Sequence, residues 1–143
     1  MAMILFLWGM VSDTIHGGHG SDELWGGADN DTIHGGNDND KIDGGDGNDS
    51  LDAGKGDDTV DGGAGADSIY AGEGWDAVYG GLGDDSIYVE AGNDHISGDN
   101  GRDRLFGGDG FDTIDGGSGQ DRLWGGNDND RLNGGNSNDR LYG

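Results

Sequence analysis

The chain has 143 residues, 35 of them glycine, no cysteine and no proline, and Asp plus Glu outnumber Lys plus Arg by 30 to 7. A formal charge of −23 disfavours nucleic acid and anionic membrane surfaces as partners, and the missing cysteines exclude disulfides and thiolate metal sites. With only 30% hydrophobic residues, composition alone predicts a disordered polyanion that attracts multivalent cations.

The first predicted element is the apolar stretch Met1 to Trp8. It is far too short to span a bilayer, and it lacks the basic flank and small-residue cleavage site of a signal peptide. Residues 1–7 read as an apolar N-terminal strand or cap, with Phe6 facing inward and Leu5 and Leu7 outward.

From residue 8 onward a strict period replaces the disorder reading. Trp8 to Tyr142 divides into fifteen consecutive nonapeptides without insertion or deletion. Gly44 to Asp52 reads GGDGNDSLD, Gly62 to Tyr70 reads GGAGADSIY, and Gly107 to Asp115 reads GGDGFDTID. Position six is Asp in all fifteen copies and position eight is aliphatic in all fifteen, from Ile15 to Leu141. Position two is Gly in thirteen, Glu90 and Asp99 being the exceptions.

Each part of the repeat has a physical role. The first six residues are turn chemistry, because Gly supports positive φ and Asn or Asp tolerates it. The last three predict a short strand with position eight inward and positions seven and nine outward. Two repeats then close a coil of about 18 residues, and a stack of coils makes an all-β parallel solenoid with two facing sheets around a thin aliphatic core. The absence of proline suits stacked strands whose N–H groups are all needed.

In such a stack, turns two repeats apart lie on one edge, about 4.8 Å from each other. Asp22 stacks on Asp40 and Asp58, and Asp31 on Asp49 and Asp67. Two bare carboxylates about 5 Å apart repel by roughly 3 kcal/mol at an effective dielectric of 20, and the repulsion recurs down both edges. A cation between the turns removes it. Carboxylates and glycine-rich backbone carbonyls, with no sulfur or imidazole in the pattern, suit a hard ion, and irregular oxygen coordination favours Ca²⁺ over Mg²⁺. Folding is then coupled to calcium.

Over residues 17 to 143 the nonapeptide resembles the RTX (repeats-in-toxin) family. The resemblance implies a right-handed parallel β-roll with several calcium ions between alternate turns, held by position-six aspartates and turn carbonyls. On this sequence those are Asp22, Asp31, Asp40, Asp49, Asp58, Asp67, Asp76, Asp85, Asp94, Asp103, Asp112, Asp121, Asp130 and Asp139. The first copy, Trp8 to His16, lacks most turn glycines, so Asp13 is expected to bind no metal. Val89-Glu90 and Gly98-Asp99 depart from the pattern and should weaken sites using their carbonyls. Asp29, Asp38, Asp128 and Ser137 replace the fourth-position Gly.

One outer face carries more than solvated polar groups. Position nine of alternate repeats runs His16, His34, Asp52, Tyr70, Tyr88, Phe106, Trp124, Tyr142, with Arg104, Arg122 and Arg140 beside it at position seven. His16 and His34 should be stacked neighbours on the surface. The aromatic run is either a cross-strand stack that stabilises its sheet or a stripe for a glycan or protein partner.

Three functional readings follow. The leading one is an extracellular calcium-binding structural module that assembles head to tail, because Met1 at position three and Gly143 at position one would let a second copy continue the coil nearly in phase. The second is part of a secreted RTX toxin, protease or lipase, aiding export and folding. The third is a glycan- or surface-binding module. No nucleophile elbow, zincin helix or EF-hand loop is present, so no enzymatic activity is expected.

Overall fold

The computed structural model describes the backbone of Ile4–Phe6 and all of residues 11–143. The start of the first repeat at Trp8 and the outward side of Leu7 lie outside the described residues. The strands are β1 (Ile4–Phe6), β2 (Thr14–His19), β3 (Glu23–Ala28), β4 (Thr32–Asn37), β5 (Lys41–Asp46) and β6 (Ser50–Lys55). There follow β7 (Thr59–Ala64), β8 (Ser68–Glu73), β9 (Ala77–Leu82), β10 (Ser86–Tyr88) and β11 (His95–Ser97). The last are β12 (Arg104–Asp109), β13 (Thr113–Asp115), β14 (Arg122–Asn127), β15 (Arg131–Asn133) and β16 (Arg140–Tyr142).

Odd-numbered strands form one eight-stranded parallel sheet and even-numbered strands the other, each strand pairing with those two places away in the chain. From β2 onward the register is i to i+18, as in Ile33↔Leu51 and Val60↔Val78. Two nonapeptides therefore close one coil, and the all-strand solenoid with two facing parallel sheets is the expected architecture.

Two features differ from expectation. The backbone register of β1 places Leu5, not Phe6, opposite Leu24, and Phe6 opposite Trp25. The nonapeptide frame therefore cannot be extended backward unchanged; the first copy has few turn glycines to impose the period. Strands are also longer than three residues in most coils, because positions two and three pair as well, as in Gly45↔Gly63 and Asp46↔Ala64. Identical turns stacked in register bring their peptide groups within reach of one another, so much of the supposed turn becomes ladder.

The core is one residue deep. Every position-eight side chain from Ile15 to Leu123 is at most 1% exposed, and Leu132 packs against the cluster. Each such burial contributes about 1.5–3 kcal/mol. Ala53, Ala71 and Val89, at position one, join this core.

Left-handed backbone explains the glycines at positions two and four of the repeat. Gly65 has φ 139°, and a Cβ there would run into the carbonyl of Gly47 one coil away. The non-glycine residues with positive φ are Asp29, Asp38, Glu90, Asp99, Asp128 and Ser137. All six stand at the second or fourth position of a repeat, where the stack demands that conformation. Glu90 and Asp99 thus keep the turn backbone, and their carbonyls still accept ladder bonds from Asp109 and Ser118 at 2.7 Å each.

Candidate metal centre

The turn at positions four to six directs each position-six aspartate inward between coils. Asp22, Asp31, Asp40, Asp49, Asp58, Asp67, Asp76, Asp85, Asp94, Asp103, Asp112 and Asp121 are all buried, six on each edge of the roll. Asp130 and Asp139, in the last two repeats, are half-buried because no further described coil lies over them. Asp13 is half-buried as well.

From Asp31 to Asp121, each buried carboxylate is used on one side and idle on the other. Oδ1 accepts the backbone N–H of the aspartate one coil earlier, as when Asp49 N–H donates to Asp67 Oδ1 at 2.8 Å and Asp67 N–H donates to Asp85 Oδ1 at 2.8 Å. The Oδ2 atoms of Asp31 through Asp121, in every repeat between, have no hydrogen-bond partner despite their burial. A buried, unpaired carboxylate oxygen costs several kcal/mol as an anion, so something must compensate it or the group must hold a proton.

The surroundings of Oδ2 identify what would fit. A Cβ built on Gly44 would lie 2.5 Å from Asp49 Oδ2 and 2.5 Å from the carbonyl oxygen of Gly62. At Gly62 the same point is 2.7 Å from Asp67 Oδ2 and 2.6 Å from Gly80 O. Position-one glycine thus leaves a small cradle in which a carboxylate oxygen and a backbone carbonyl from the next coil converge. Among the described residues, no three His, Cys, Asp or Glu side chains converge on one point. A cation here would rely on backbone oxygens beside the aspartates, a donor set that suits calcium and not zinc or copper.

Without a cation the carboxylates are forced toward their neutral form. Burial, reinforced by neighbouring aspartates and opposed by the N–H bond at Oδ1, pushes Asp58, Asp94 and Asp103 up to about 7 and Asp49 and Asp67 up to about 6. Asp40, Asp76, Asp85, Asp112 and Asp121 are raised for the same leading cause. Groups strained in this direction bind cations and protons competitively.

The family profile of the RTX calcium-binding nonapeptide repeat matches residues 12–42, 25–60, 34–69, 52–87, 70–105, 79–114 and 115–143. The chain belongs to the RTX calcium-binding nonapeptide repeat family. RTX repeats form calcium-binding structural β-rolls and not a catalytic fold, and they are typical of secreted proteins. No curated protein matches the sequence. No helix of the described residues is long and apolar enough to cross a membrane.

Outside the RTX turns, the position-nine ladder has the expected geometry. Tyr70, Tyr88, Phe106, Trp124 and Tyr142 stack in sequence with ring centroids 5.0, 4.6, 4.3 and 5.3 Å apart and interplanar angles of 9° or less. Their faces are occupied by one another, which leaves mainly ring edges for any ligand. His16 and His34 stack at 4.8 Å, and His34 lies 3.3 Å from Asp52. Phe106→Ala removes two stacks, so it should lower the Tm of the calcium-loaded roll by about 3–10 °C, at roughly 0.5–1.5 kcal/mol per pair. Differential scanning calorimetry in saturating calcium checks this, and an unchanged Tm would remove the stabilising role.

The position-one cradle was the part of the site that periodicity did not reveal. Its signal was present, because Gly at position one is followed five residues later by Asp throughout most of the array. Only the inter-coil carbonyl shows what the glycine is for.

Proposed function

We propose that this chain is an extracellular module that folds when calcium enters the gaps between its turns. Asp22, Asp31 and their equivalents through Asp139 would hold the ions together with turn carbonyls. The observation that carries this reading is the double column of buried aspartates whose Oδ2 atoms, from Asp31 to Asp121, have no hydrogen-bond partner, those of Asp31, Asp40, Asp49, Asp67, Asp85, Asp103, Asp112 and Asp121 each facing a glycine cradle. A bound calcium ion would supply the positive charge and oxygen affinity that those carboxylates need in order to stay ionised. The chain's own residues do the rest: position-one Gly keeps the cradle open, Oδ1 ties successive turns, and position eight seals the core.

Calcium titration of the metal-free chain, followed by far-UV circular dichroism, tests the reading. A cooperative rise in β signal is expected at roughly 10⁻⁴–10⁻³ M, the range of extracellular calcium modules. Magnesium at equal concentration should be ineffective, because it needs compact octahedral geometry and dehydrates reluctantly. An equal response to both ions would defeat the calcium assignment.

Stacking of a further coil on β15 and β16 is a second reading. Leu141 is inward by position yet 45% exposed, whereas its counterpart Leu123 is completely buried. A coil from a second copy, head to tail, would cover it. Sedimentation velocity in millimolar calcium distinguishes large assemblies from the single β-roll expected of a segment that aids export and folding within a longer secreted protein.

A further inference from the structure

The cradles are not all alike. On the edge built from odd-numbered repeats, position one is Gly in every copy from Gly26 to Gly134. On the opposite edge it is Gly17 and Gly35, then Ala53, Ala71 and Val89 on three consecutive coils, then Gly107 and Gly125. These three side chains are completely buried.

Their position coincides with the space where the site's oxygens meet. At Gly26, Gly44, Gly62, Gly80 and Gly98 an added Cβ would lie 2.5–2.7 Å from Oδ2 of the aspartate five residues on. It would also lie 2.5–2.9 Å from the carbonyl of the next coil. Real Cβ atoms do not approach oxygens so closely, so a side chain here must push the carboxylate, the carbonyl or both aside. In the repeat frame, the carboxylates facing Ala53, Ala71 and Val89 are those of Asp58, Asp76 and Asp94, all buried and with Oδ2 unpartnered. A methyl group offers no lone pair and excludes an oxygen-bound ion from the volume it fills. It adds instead to the apolar core, to which all three residues belong.

We infer that Ala53, Ala71 and Val89 divide the calcium array into two classes: an all-glycine edge of tight sites, and an opposite edge whose central sites, at Asp58, Asp76 and Asp94, bind calcium weakly or not at all. The middle of that edge is an apolar seam in place of a run of ions. This inference rests on the calcium reading of the aspartate columns and refines it, because it sets which cradles fill first and how many ions the roll takes.

Two triple variants separate the inference from that reading. Ala53→Gly, Ala71→Gly and Val89→Gly together reopen the three cradles. Gly62→Ala, Gly80→Ala and Gly98→Ala together close three on the other edge, and these glycines lie outside the left-handed region, so alanine is not strained by φ. Calcium binding to the parent and both variants is measured by isothermal titration calorimetry with equilibrium dialysis, and folding by circular dichroism at saturating calcium. The parent should show a tight and a weak class. The first variant should move about three ions into the tight class, and the second should lose about three from it or weaken them about tenfold or more. Equal stoichiometry and affinity in all three proteins, each still folding with calcium, would overturn the inference and leave the calcium reading standing. A parent that neither binds nor folds with calcium would overturn both.

Discussion

In EDTA at pH 7.5 the chain should lose its β signal, and lowering the pH toward about 4.5 without calcium should restore part of it. Both effects come from the same carboxylates. In the unfolded chain an Asp titrates near 3.8, but within the metal-free roll burial raises Asp58, Asp94 and Asp103 to about 7 and Asp49 and Asp67 to about 6. The folded state therefore binds more protons than the unfolded state between about pH 4 and pH 7, and its stability falls as pH rises through that window. Below the unfolded value both states are protonated and the full contribution is present; above about 7 it is gone. Neutralisation also relieves repulsion along each column, because Asp49 faces Asp31 and Asp67, and Asp58 faces Asp40 and Asp76. Calcium reverses the dependence. Protons compete for Oδ2, so the calcium midpoint should rise as pH is lowered from 7 to 6. Circular dichroism across pH, with EDTA in one series and calcium in the other, reads both slopes. A roll that stays folded in EDTA above pH 7.5, or that loses β signal steadily on acidification, would contradict the assignment.

Asp67→Ala should raise the calcium midpoint by about two- to fivefold, whereas Asp13→Ala should leave it nearly unchanged. Asp67 lies mid-array and accepts the Asp49 N–H at 2.8 Å, while its Oδ2 borders the Gly62 cradle. Alanine strands that buried N–H, at about 1–3 kcal/mol, and removes an ion-binding oxygen from the cradle. Spread over a cooperative transition driven by several ions, such a loss moves the midpoint by a small factor while lowering the stoichiometry. Asp67→Asn divides the two contributions, because an amide oxygen can still accept from Asp49 N–H but carries no charge. It should tolerate calcium-free acidic conditions better than alanine does, yet still weaken calcium binding. Asp13 is half-buried, and although its N–H donates to Asp31 Oδ1 at 2.7 Å, its own turn lacks most glycines. Equal midpoints for Asp67→Ala and Asp13→Ala would show that the first repeat holds metal as the others do.

Much of this protein is determined by sequence alone, because its repeat has no insertions. A nine-residue period with one invariant aspartate and one invariant aliphatic places Asp49 over Asp67 and Leu51 over Ile69 in any solenoid with two repeats per coil, and the register follows. Composition, read without the period, pointed toward disorder, since 30% hydrophobic residues suffice for a core only when every ninth residue supplies it. The period also located the aromatic ladder from Tyr70 to Tyr142. What depends on groups from different coils was settled only by the tertiary structure. The register of β1, one residue off the frame at Leu5, lies where the repeat is least regular. The extension of the ladder into positions two and three arises from stacked peptide groups and has no side-chain pattern of its own. The division of labour within a carboxylate such as that of Asp67, Oδ1 tied to a backbone N–H and Oδ2 facing a cradle, exists only once three coils are in place. So too the difference between Gly62 and Ala53 is a single methyl group in sequence, and its meaning comes from a carbonyl oxygen eighteen residues away.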